Sequence, residues 1–164
     1  MFHLVSGTLR IGAEGRSVTK VPESIVASAS HSWSSMYTPA MIDSVTYRLE
    51  SPHCSHSLLG LAPLNTALDT PLSWEQPHCY FVELHPCGMR LWSETLGLYG
   101  TPFPHVSACA VVGTEIGFHR HDSGVVVSVN GIDGGIAFRN FPRDLGMFPC
   151  VTLFEVGASV SIVT

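Results

Sequence analysis

Breaks in the chain come too often for helices of ordinary length. The 164 residues include 11 prolines and 15 glycines, and these recur at short intervals. Proline removes a backbone donor and clashes inside a helix, and glycine weakens one. Between the breaks lie short runs of apolar or β-branched residues, which have the length and composition of β-strands. The pattern therefore predicts an all-β chain.

Eleven segments fit this strand pattern. They are Leu9–Ile11, Ser17–Val21, Ser44–Leu49, Leu58–Leu61, Tyr80–Leu84, Arg90–Trp92, Glu115–His119, Val125–Val129, Ile136–Phe138, Phe148–Leu153 and Ser159–Val163. Many short strands with turn residues between them are typical of a β-sandwich or barrel. Because no repeat or linker interrupts the pattern, residues 1–164 are predicted to form one domain.

The segment "VNGIDGGIAF", Val129 to Phe138, predicts a β-hairpin. Its Asn130-Gly131 pair follows a β-branched run, and Asn and Gly adopt the positive φ that tight hairpin turns need. A phosphate-binding loop would instead place Gly-Lys-Ser/Thr at the start of a helix. No lysine follows this segment, so the hairpin interpretation is favoured.

The second half of the chain resembles the SPRY family. The resemblance is carried by Gly113 to Gly117, by Asn130-Gly131-x-Asp133-x-Gly135-x-Ala137 and by Phe148-Pro149-x-Val151-x-Leu153.

Within that family, the first half is similar to the neuralized homology repeat (NHR), which begins with Phe-His and a nearby Gly, here Phe2-His3 and Gly7. A Gly-x-x-Ala-x-Arg strand follows in the repeat, and Val18 and Lys20 depart from it. The later Trp-x-Gly-x-Leu-x-Leu-Gly-Leu-Thr strand corresponds to Ser55–Ala62, without its Trp and first Gly.

The resemblance implies an antiparallel SPRY-like β-sandwich of the concanavalin-type jelly-roll kind, with few or no helices. It implies a non-catalytic protein–protein recognition module that recruits targets or scaffolds partners for ubiquitin-ligase-linked regulation. The chain has no RING cysteine pattern, so ligase activity would come from elsewhere. The alternatives are a SPRY/B30.2-type peptide-binding domain and a sandwich that binds carbohydrate or a lipid headgroup.

Loops held by a rigid sandwich are the expected binding positions. By analogy with SPRY domains, the loops Lys20–Glu23, Ala62–Asn65 and Phe154–Gly157 are predicted to lie at one end. Aromatic side chains contribute much of the binding energy of protein interfaces. Tyr37, in the polar segment before residue 40, is therefore added to the candidate residues. The candidate partner-binding residues are Lys20, Pro22, Glu23, Tyr37, Pro63, Asn65, Phe154 and Glu155.

Composition excludes several other functions. The net charge is −5 and Lys20 is the only lysine, which argues against nucleic acid and against anionic lipid. No apolar run reaches the length of a membrane span, so no integral membrane segment is expected. Five cysteines without framework spacing, and no Asn-x-Ser/Thr acceptor, favour reduced thiols and a cytoplasmic protein. The expected partner is a protein or peptide segment, and self-association or contact with neighbouring repeats stays open.

Catalytic and metal sites are not expected. "HDSGV" at His121 to Val125 matches the Asp-Ser-Gly of serine proteases, with Ser123 as nucleophile, but it lacks the flanking glycines and suits a turn. His53-Cys54-x-His56, His78-Cys79 and His85-x-Cys87 do not have the spacing of a zinc knuckle. No cofactor is predicted.

Overall fold

The structure is a computed structural model of the chain. It describes residues 3–4, 9–21, 34–37, 43–63, 79–85, 88–93, 101–102, 111–139, 141 and 147–163. Within these residues the regular structure is β-strand, apart from one 3-10 turn at Ala13–Gly15. The described part of the chain contains no apolar helix of membrane-spanning length.

The described residues form fourteen strands, numbered here in chain order. They are β1 (His3–Leu4), β2 (Leu9–Ile11), β3 (Ser17–Lys20), β4 (Ser34–Tyr37), β5 (Ser44–Leu49), β6 (Leu58–Pro63), β7 (Tyr80–His85), β8 (Gly88–Ser93), β9 (Thr101–Pro102), β10 (Glu115–His121), β11 (Gly124–Val129), β12 (Ile132–Arg139), β13 (Met147–Leu153) and β14 (Ser159–Ile162).

The strands form two seven-stranded sheets in which every pair is antiparallel. The first sheet has the order β1-β4-β13-β6-β7-β8-β9, and the second has the order β12-β11-β10-β5-β14-β3-β2. The chain changes sheets several times, so neighbours in a sheet are often distant in sequence. The predicted all-β sandwich is confirmed.

All eleven predicted strands are present, with ends that differ by a few residues. The largest difference is in β12, which begins at Ile132 rather than Ile136 because it pairs with β11 directly after the turn. The pattern missed β1, β4 and β9. Two of these have only two residues, and β4 is polar in composition.

The main core lies between the sheets and follows the alternation of the strands. In β5, Val45, Tyr47 and Leu49 are buried while the residues between them are partly exposed. Successive strand side chains point to opposite faces, so this alternation places one face of the second sheet against the first. Of the aromatic side chains, Trp92, Phe118 and Phe138 are buried, whereas Phe148 and Phe154 are half-buried.

A second apolar cluster lies on the other face of the first sheet. Its members are Leu58, Ala62, Cys79, Phe81, Trp92 and Cys150, all of them buried. Along β6 and β7 they alternate with residues of the main core, so the first sheet is apolar on both faces. Cys54, Cys79 and Cys150 are buried free thiols, as expected, and Cys87 and Cys109 lie outside the described residues.

The predicted hairpin is confirmed. Val129 pairs with Ile132, so Asn130 and Gly131 form a two-residue turn between β11 and β12. Both residues have positive φ, 50° for Asn130 and 75° for Gly131, as a type I′ turn requires. The Asn130 side chain accepts a hydrogen bond from the Glu115 amide at 2.9 Å, which fixes the turn to the start of β10.

Antiparallel pairing defines two ends of the sandwich. At one end β13 leads into β14 through residues 154–158, and this end also holds the β5–β6 connection and the Asn130-Gly131 turn. We call it the Val156 end. The opposite end holds Asp43 before β5 and the turn between β10 and β11, and we call it the His121 end.

Candidate recognition surfaces

Two of the predicted loops meet at the Val156 end. The Gly157 amide donates to the Lys20 carbonyl at 2.9 Å, and the Lys20 amide donates to the Ala158 carbonyl at 2.8 Å. Phe154 and Glu155 lie in this turn and are half-buried. Lys20 itself is the last residue of β3, and its side chain is only 3% exposed. Phe154 and Glu155 are therefore the accessible members of this group.

The expectation that all three loops share one end is wrong for Pro63. Strands β6 and β13 are antiparallel, so Met147 pairs with Pro63 while Thr152 pairs with Leu58. Pro63 therefore lies at the opposite end of the first sheet from the turn that follows Leu153. The sequence indicated a turn after β6, but it did not indicate that β6 pairs with β13. That pairing decides at which end of the sheet the turn lies.

The remaining predicted residues divide into two groups. Tyr37 is the last residue of β4, where its backbone pairs with Cys150 and with His3. Pro22, Glu23 and Asn65 lie outside the described residues.

Apolar side chains gather at the Val156 end. Five large apolar side chains are exposed in the described ranges, and four of them belong to turns at this end. Val111, Val112, Ile132 and Val156, each more than half exposed, are called here the aliphatic rim. Single exposed apolar residues are ordinary on a protein surface, but their collection at one end indicates an interaction surface. The fifth, Ile11, lies on the edge strand β2.

Backbone hydrogen bonds join the turns that carry the aliphatic rim. The Asn130 amide donates to Glu115 at 2.8 Å, which places the hairpin turn beside the start of β10. Leu49 exchanges hydrogen bonds with Gly113 and Thr114, which places residues 111–114 at the end of β5. The Glu50 amide donates to Ser159 at 2.9 Å, next to the turn of Val156. The rim turns are therefore neighbours at the Val156 end of the second sheet, where they join the ends of nearby strands.

Carboxylates surround the aliphatic rim. Glu50 and Asp133 are exposed, and Glu115 and Glu155 are half-buried. Arg48 donates to Glu115 from both Nε, at 3.0 Å, and Nη2, at 2.5 Å. This hydrogen bonding raises the pKa of Arg48, so the guanidinium stays charged.

Histidines of the β5–β6 connection brace the Val156 turn. The Nδ1 atom of His53 lies 3.9 Å from Oε2 of Glu155, and a Cβ added at Gly157 would lie 3.2 Å from the His53 ring. The His56 ring meets the Phe154 ring edge-on, with centroids 5.9 Å apart. These contacts hold the turn against the connection, so Val156 projects from a supported position.

His56 also contacts strand β7, and this region contains the histidines considered for zinc. Its Nδ1 lies 3.7 Å from Oε1 of Glu83, and its ring lies 5.7 Å from that of His85. The other oxygen of Glu83 accepts a hydrogen bond from the Trp92 indole at 2.6 Å. Across the ranges given above, no three His, Cys, Asp or Glu side chains are grouped so as to hold a metal ion. His78 and Cys87 fall outside those ranges.

The His121 end has a polar mouth above a closed apolar slot. The mouth, about 290 Å³, is lined by Asp43, Arg120, His121 and Asp122. Beneath it the slot between the sheets encloses only about 10 Å³, roughly the space of one water. The Arg120 guanidinium lies 5.5 Å from the centre of the Phe141 ring, a cation–π contact at the slot. The slot is therefore too small for an apolar side chain in this conformation.

The outer face of the second sheet has a shallow groove of about 350 Å³. Gly117 forms a notch next to it, because a Cβ there would meet Ser128 Oγ at 2.5 Å and His119 Nε2 at 2.9 Å. The Ser128 hydroxyl and the His119 ring are 3.3 Å apart. The groove also reaches Asp133, near the aliphatic rim.

The Asp-Ser-Gly segment is a turn. His121 pairs with Gly124, which leaves Asp122 and Ser123 at the tip of the β10–β11 hairpin. The His121 Nδ1 atom lies 3.1 Å from Ser123 Oγ, and both side chains are exposed. Acyl-transfer catalysis relies on donors aimed at the developing charge in a site that excludes water. An exposed hairpin tip does not provide that environment.

The sequence reasoning missed the aliphatic rim, although a local signal for it exists. Gly113, Gly131 and Gly157 all have positive φ, and Val112, Ile132 and Val156 are their direct neighbours. A glycine in this conformation marks a tight turn at the protein surface. At these three positions the aliphatic residue before or after the turn glycine is exposed, although its type is usual for the core.

Comparison with known proteins identifies the fold. No protein-family model matches the chain, and no curated protein matches it. A human SPRY domain is similar in structure, with a TM-score of 0.68, 16% identity and coverage of 99% of this chain and 96% of that one. The neuralized NHR1 domain of Drosophila melanogaster has a TM-score of 0.59, 11% identity and coverage of 99% and 96%.

A third solved structure with this architecture is the carbohydrate-binding module CBM66 from Bacillus subtilis. Its TM-score is 0.52 at 9% identity, with coverage of 98% of this chain and 91% of that one. At these identities the likeness shows the fold alone. The chain has the SPRY-like β-sandwich fold that SPRY and NHR domains share, as the sequence resemblance implied.

Proposed function

We propose that the chain is a non-catalytic recognition module that binds a partner protein through the turns of its Val156 end. The observation that carries the proposal is the aliphatic rim, four apolar side chains that are each more than half exposed and lie in or next to neighbouring turns. Burying apolar surface contributes about 25 cal/mol per Å² and drives most protein association. A monomer gains nothing from leaving such a group in water.

The contacts beneath the aliphatic rim favour a binding surface that is already ordered before a partner binds. The turns are fixed by backbone hydrogen bonds to β3, β5 and β10, and His53 and His56 pack against the Val156 turn. Binding through ordered turns avoids the entropy cost of ordering a flexible loop. Phe154 and Glu155, predicted from the sequence, lie beside the rim and are proposed as its flank.

The wider role follows from the sequence resemblance. Neuralized-type repeats recruit targets for ubiquitination, and we propose that this domain supplies target or scaffold binding in such a system in the cytoplasm. The support for this is the Asn-Gly-x-Asp-x-Gly-x-Ala hairpin at residues 130–137 together with the SPRY-like fold. No cofactor is needed for this role.

The proposal is tested by affinity capture with the purified chain. The test variant combines Ile132→Ser and Val156→Ser at the rim, and the control combines Asp122→Ser and Ser123→Ala at the opposite end. All four positions are exposed, so both double variants should unfold at the wild-type temperature. We expect a protein bound by wild type and control to be lost from the rim variant.

Two results would contradict the proposal. One is a partner bound equally by the rim variant and the wild type. The other is turnover of a substrate by the purified chain, abolished by His121→Ala or Ser123→Ala, because those residues would then form a catalytic pair.

A further inference from the structure

We infer that the segment bound at the Val156 end is basic and aliphatic, with Lys or Arg side chains flanking Leu, Ile or Val. This inference rests on the proposed function, since it names the partner of the same surface. Its basis is the charge distribution around the aliphatic rim.

The accessible charge beside the rim is negative. Glu50, Glu115, Asp133 and Glu155 lie on or next to the rim turns. The adjacent cations are Arg48, which pairs with Glu115, and Lys20, whose side chain is 3% exposed. Among the described residues at this end, four carboxylates against Arg48 and Lys20 leave a local charge of −2, out of −5 for the whole chain.

Three of these carboxylates keep acceptor capacity for a partner. Asp133 uses Oδ1 to accept the Gly135 amide at 2.6 Å, and Glu50 uses Oε1 to accept the Ser161 hydroxyl. Oε2 of Glu155 lies 3.9 Å from His53, which is beyond hydrogen-bond distance. An ionised carboxylate has about four acceptor positions, so each can still accept from a Lys or Arg.

The carboxylates beside the aliphatic rim favour one class of binding partner over the others. An anionic membrane would be repelled by the carboxylates beside the rim. A second copy of the chain would bring two acidic rims together, at an electrostatic cost. Complementary charge around an apolar centre fits a basic, aliphatic segment, and such rim charges speed association and set specificity.

Two synthetic amphipathic peptides of equal length test the inference. Both carry the same leucine pattern, and their polar positions are Lys/Arg in one and Glu in the other. Binding to the full chain is measured by fluorescence anisotropy between about 0.05 M and about 0.5 M salt, where screening increases strongly. We expect the basic peptide to bind at least about tenfold more tightly than the acidic one, and to weaken as salt rises.

Matched variants locate the effect. Glu50→Gln combined with Glu155→Gln removes two charges at the rim, and Glu14→Gln combined with Asp122→Asn removes two exposed charges at the opposite end. The rim pair should weaken binding of the basic peptide several-fold, and the distant pair should have much less effect.

Four outcomes would overturn the inference. They are equal binding of both peptides, no binding of either, equal effects of the two variant pairs, and tighter binding to phosphatidylserine vesicles than to the basic peptide. If Ile132→Ser with Val156→Ser abolishes binding while charge and salt have no effect, recognition at the rim stands and its basic partner does not. If those apolar changes also have no effect, the proposed function loses its surface as well.

Discussion

Tyr47 connects the two sheets through a single hydroxyl group. It lies in β5 with no exposed surface, and its hydroxyl is 2.7 Å from the Gly60 carbonyl and 3.2 Å from the Cys150 carbonyl. Tyr47→Phe leaves these carbonyls without that donor, so it should lower the free energy of unfolding by about 1–3 kcal/mol.

Urea unfolding at neutral pH measures this loss. The control is Thr46→Val on the other face of the same strand, which also removes a hydroxyl and should change stability by less than about 0.5 kcal/mol. Equal stability of Tyr47→Phe and the wild type would show that the hydroxyl does not stabilise the contact between the sheets.

Burial of Tyr47 and Cys150 makes stability depend on alkaline pH. Desolvation raises the pKa of Tyr47 well above 10.0 and the pKa of Cys150 well above 9.0. The folded chain then retains protons that the unfolded chain releases. The free energy of unfolding is therefore highest below the ordinary thiol and phenol pKa values, and it declines as the pH rises above them toward the raised values of the folded chain. Each group can contribute up to about 1.4 kcal/mol per pH unit within its window.

The measurement is the urea midpoint between pH 7 and pH 10.5, roughly the span over which the unfolded thiol and phenol ionise. Cys150→Ala should reduce the part of the decline that begins near the ordinary thiol pKa of 9.0, and Cys54, whose pKa is also raised by burial, should still contribute to what remains. A wild type whose midpoint stays constant or rises with pH would contradict this account.

At the scale of single elements, β12 protects the edge of the second sheet. It is the edge strand, and its register against β11 shifts twice, between the pairs of Val125 and Val126 and between those of Val126 and Ser128. Each shift leaves an extra residue in β12, and Gly135 within it has a φ of 85°. Bulges of this kind bend an edge strand and disfavour pairing with another chain.

Removing the bulges should promote self-association. Deletion of Gly135 and Ala137 gives β12 one residue for each residue of β11, which produces a regular edge with unpaired backbone groups. We expect a higher weight-average sedimentation coefficient than for the wild type at equal concentration. If circular dichroism shows that the deletion variant is folded and it sediments like the wild type, the bulges do not protect this edge.

Strand positions could be predicted from the sequence, because a strand's composition is local. The β5 segment alternates buried and partly exposed residues, and turn residues bound the runs on either side. Strand β4 could not be predicted in the same way. Ser34–Tyr37 is a strand because it pairs with β13, more than a hundred residues later in the sequence, and composition does not encode that pairing.

At the scale of the whole molecule, β14 connects distant parts of the second sheet. It lies between β5 and β3 and pairs with both, although β3 and β14 are separated by most of the chain. Without it, β3 and β2 lose their contact with the other strands of their sheet. We therefore expect deletion of residues 159–164 to abolish cooperative unfolding of the entire chain.

Thermal unfolding followed by circular dichroism tests this expectation. Deletion of Thr164 alone leaves β14 intact and is the control. A cooperative transition in the longer deletion would show that β14 is not required to unite the chain into one folding unit.

Topology also explains why the site was only partly predictable. Phe154 and Glu155 were placed in a turn correctly, since their Gly157 neighbour indicates one. The position of Pro63 depends on the direction of β6 relative to β13, which is set by non-local pairing. Each turn glycine beside the aliphatic rim is a local signal, but which turns meet is set by non-local pairing.

Photocrosslinking shows whether a partner protein binds at the aliphatic rim. A photoreactive side chain is placed in the full chain at Ile132 on the rim, and in a second sample at Asp122 at the opposite end, and both are illuminated in cell lysate. We expect a covalent adduct with one partner protein at Ile132, in which the linked peptide is rich in lysine or arginine, and no such adduct at Asp122. An adduct with the same partner only at Asp122, or equally at both positions, would contradict it.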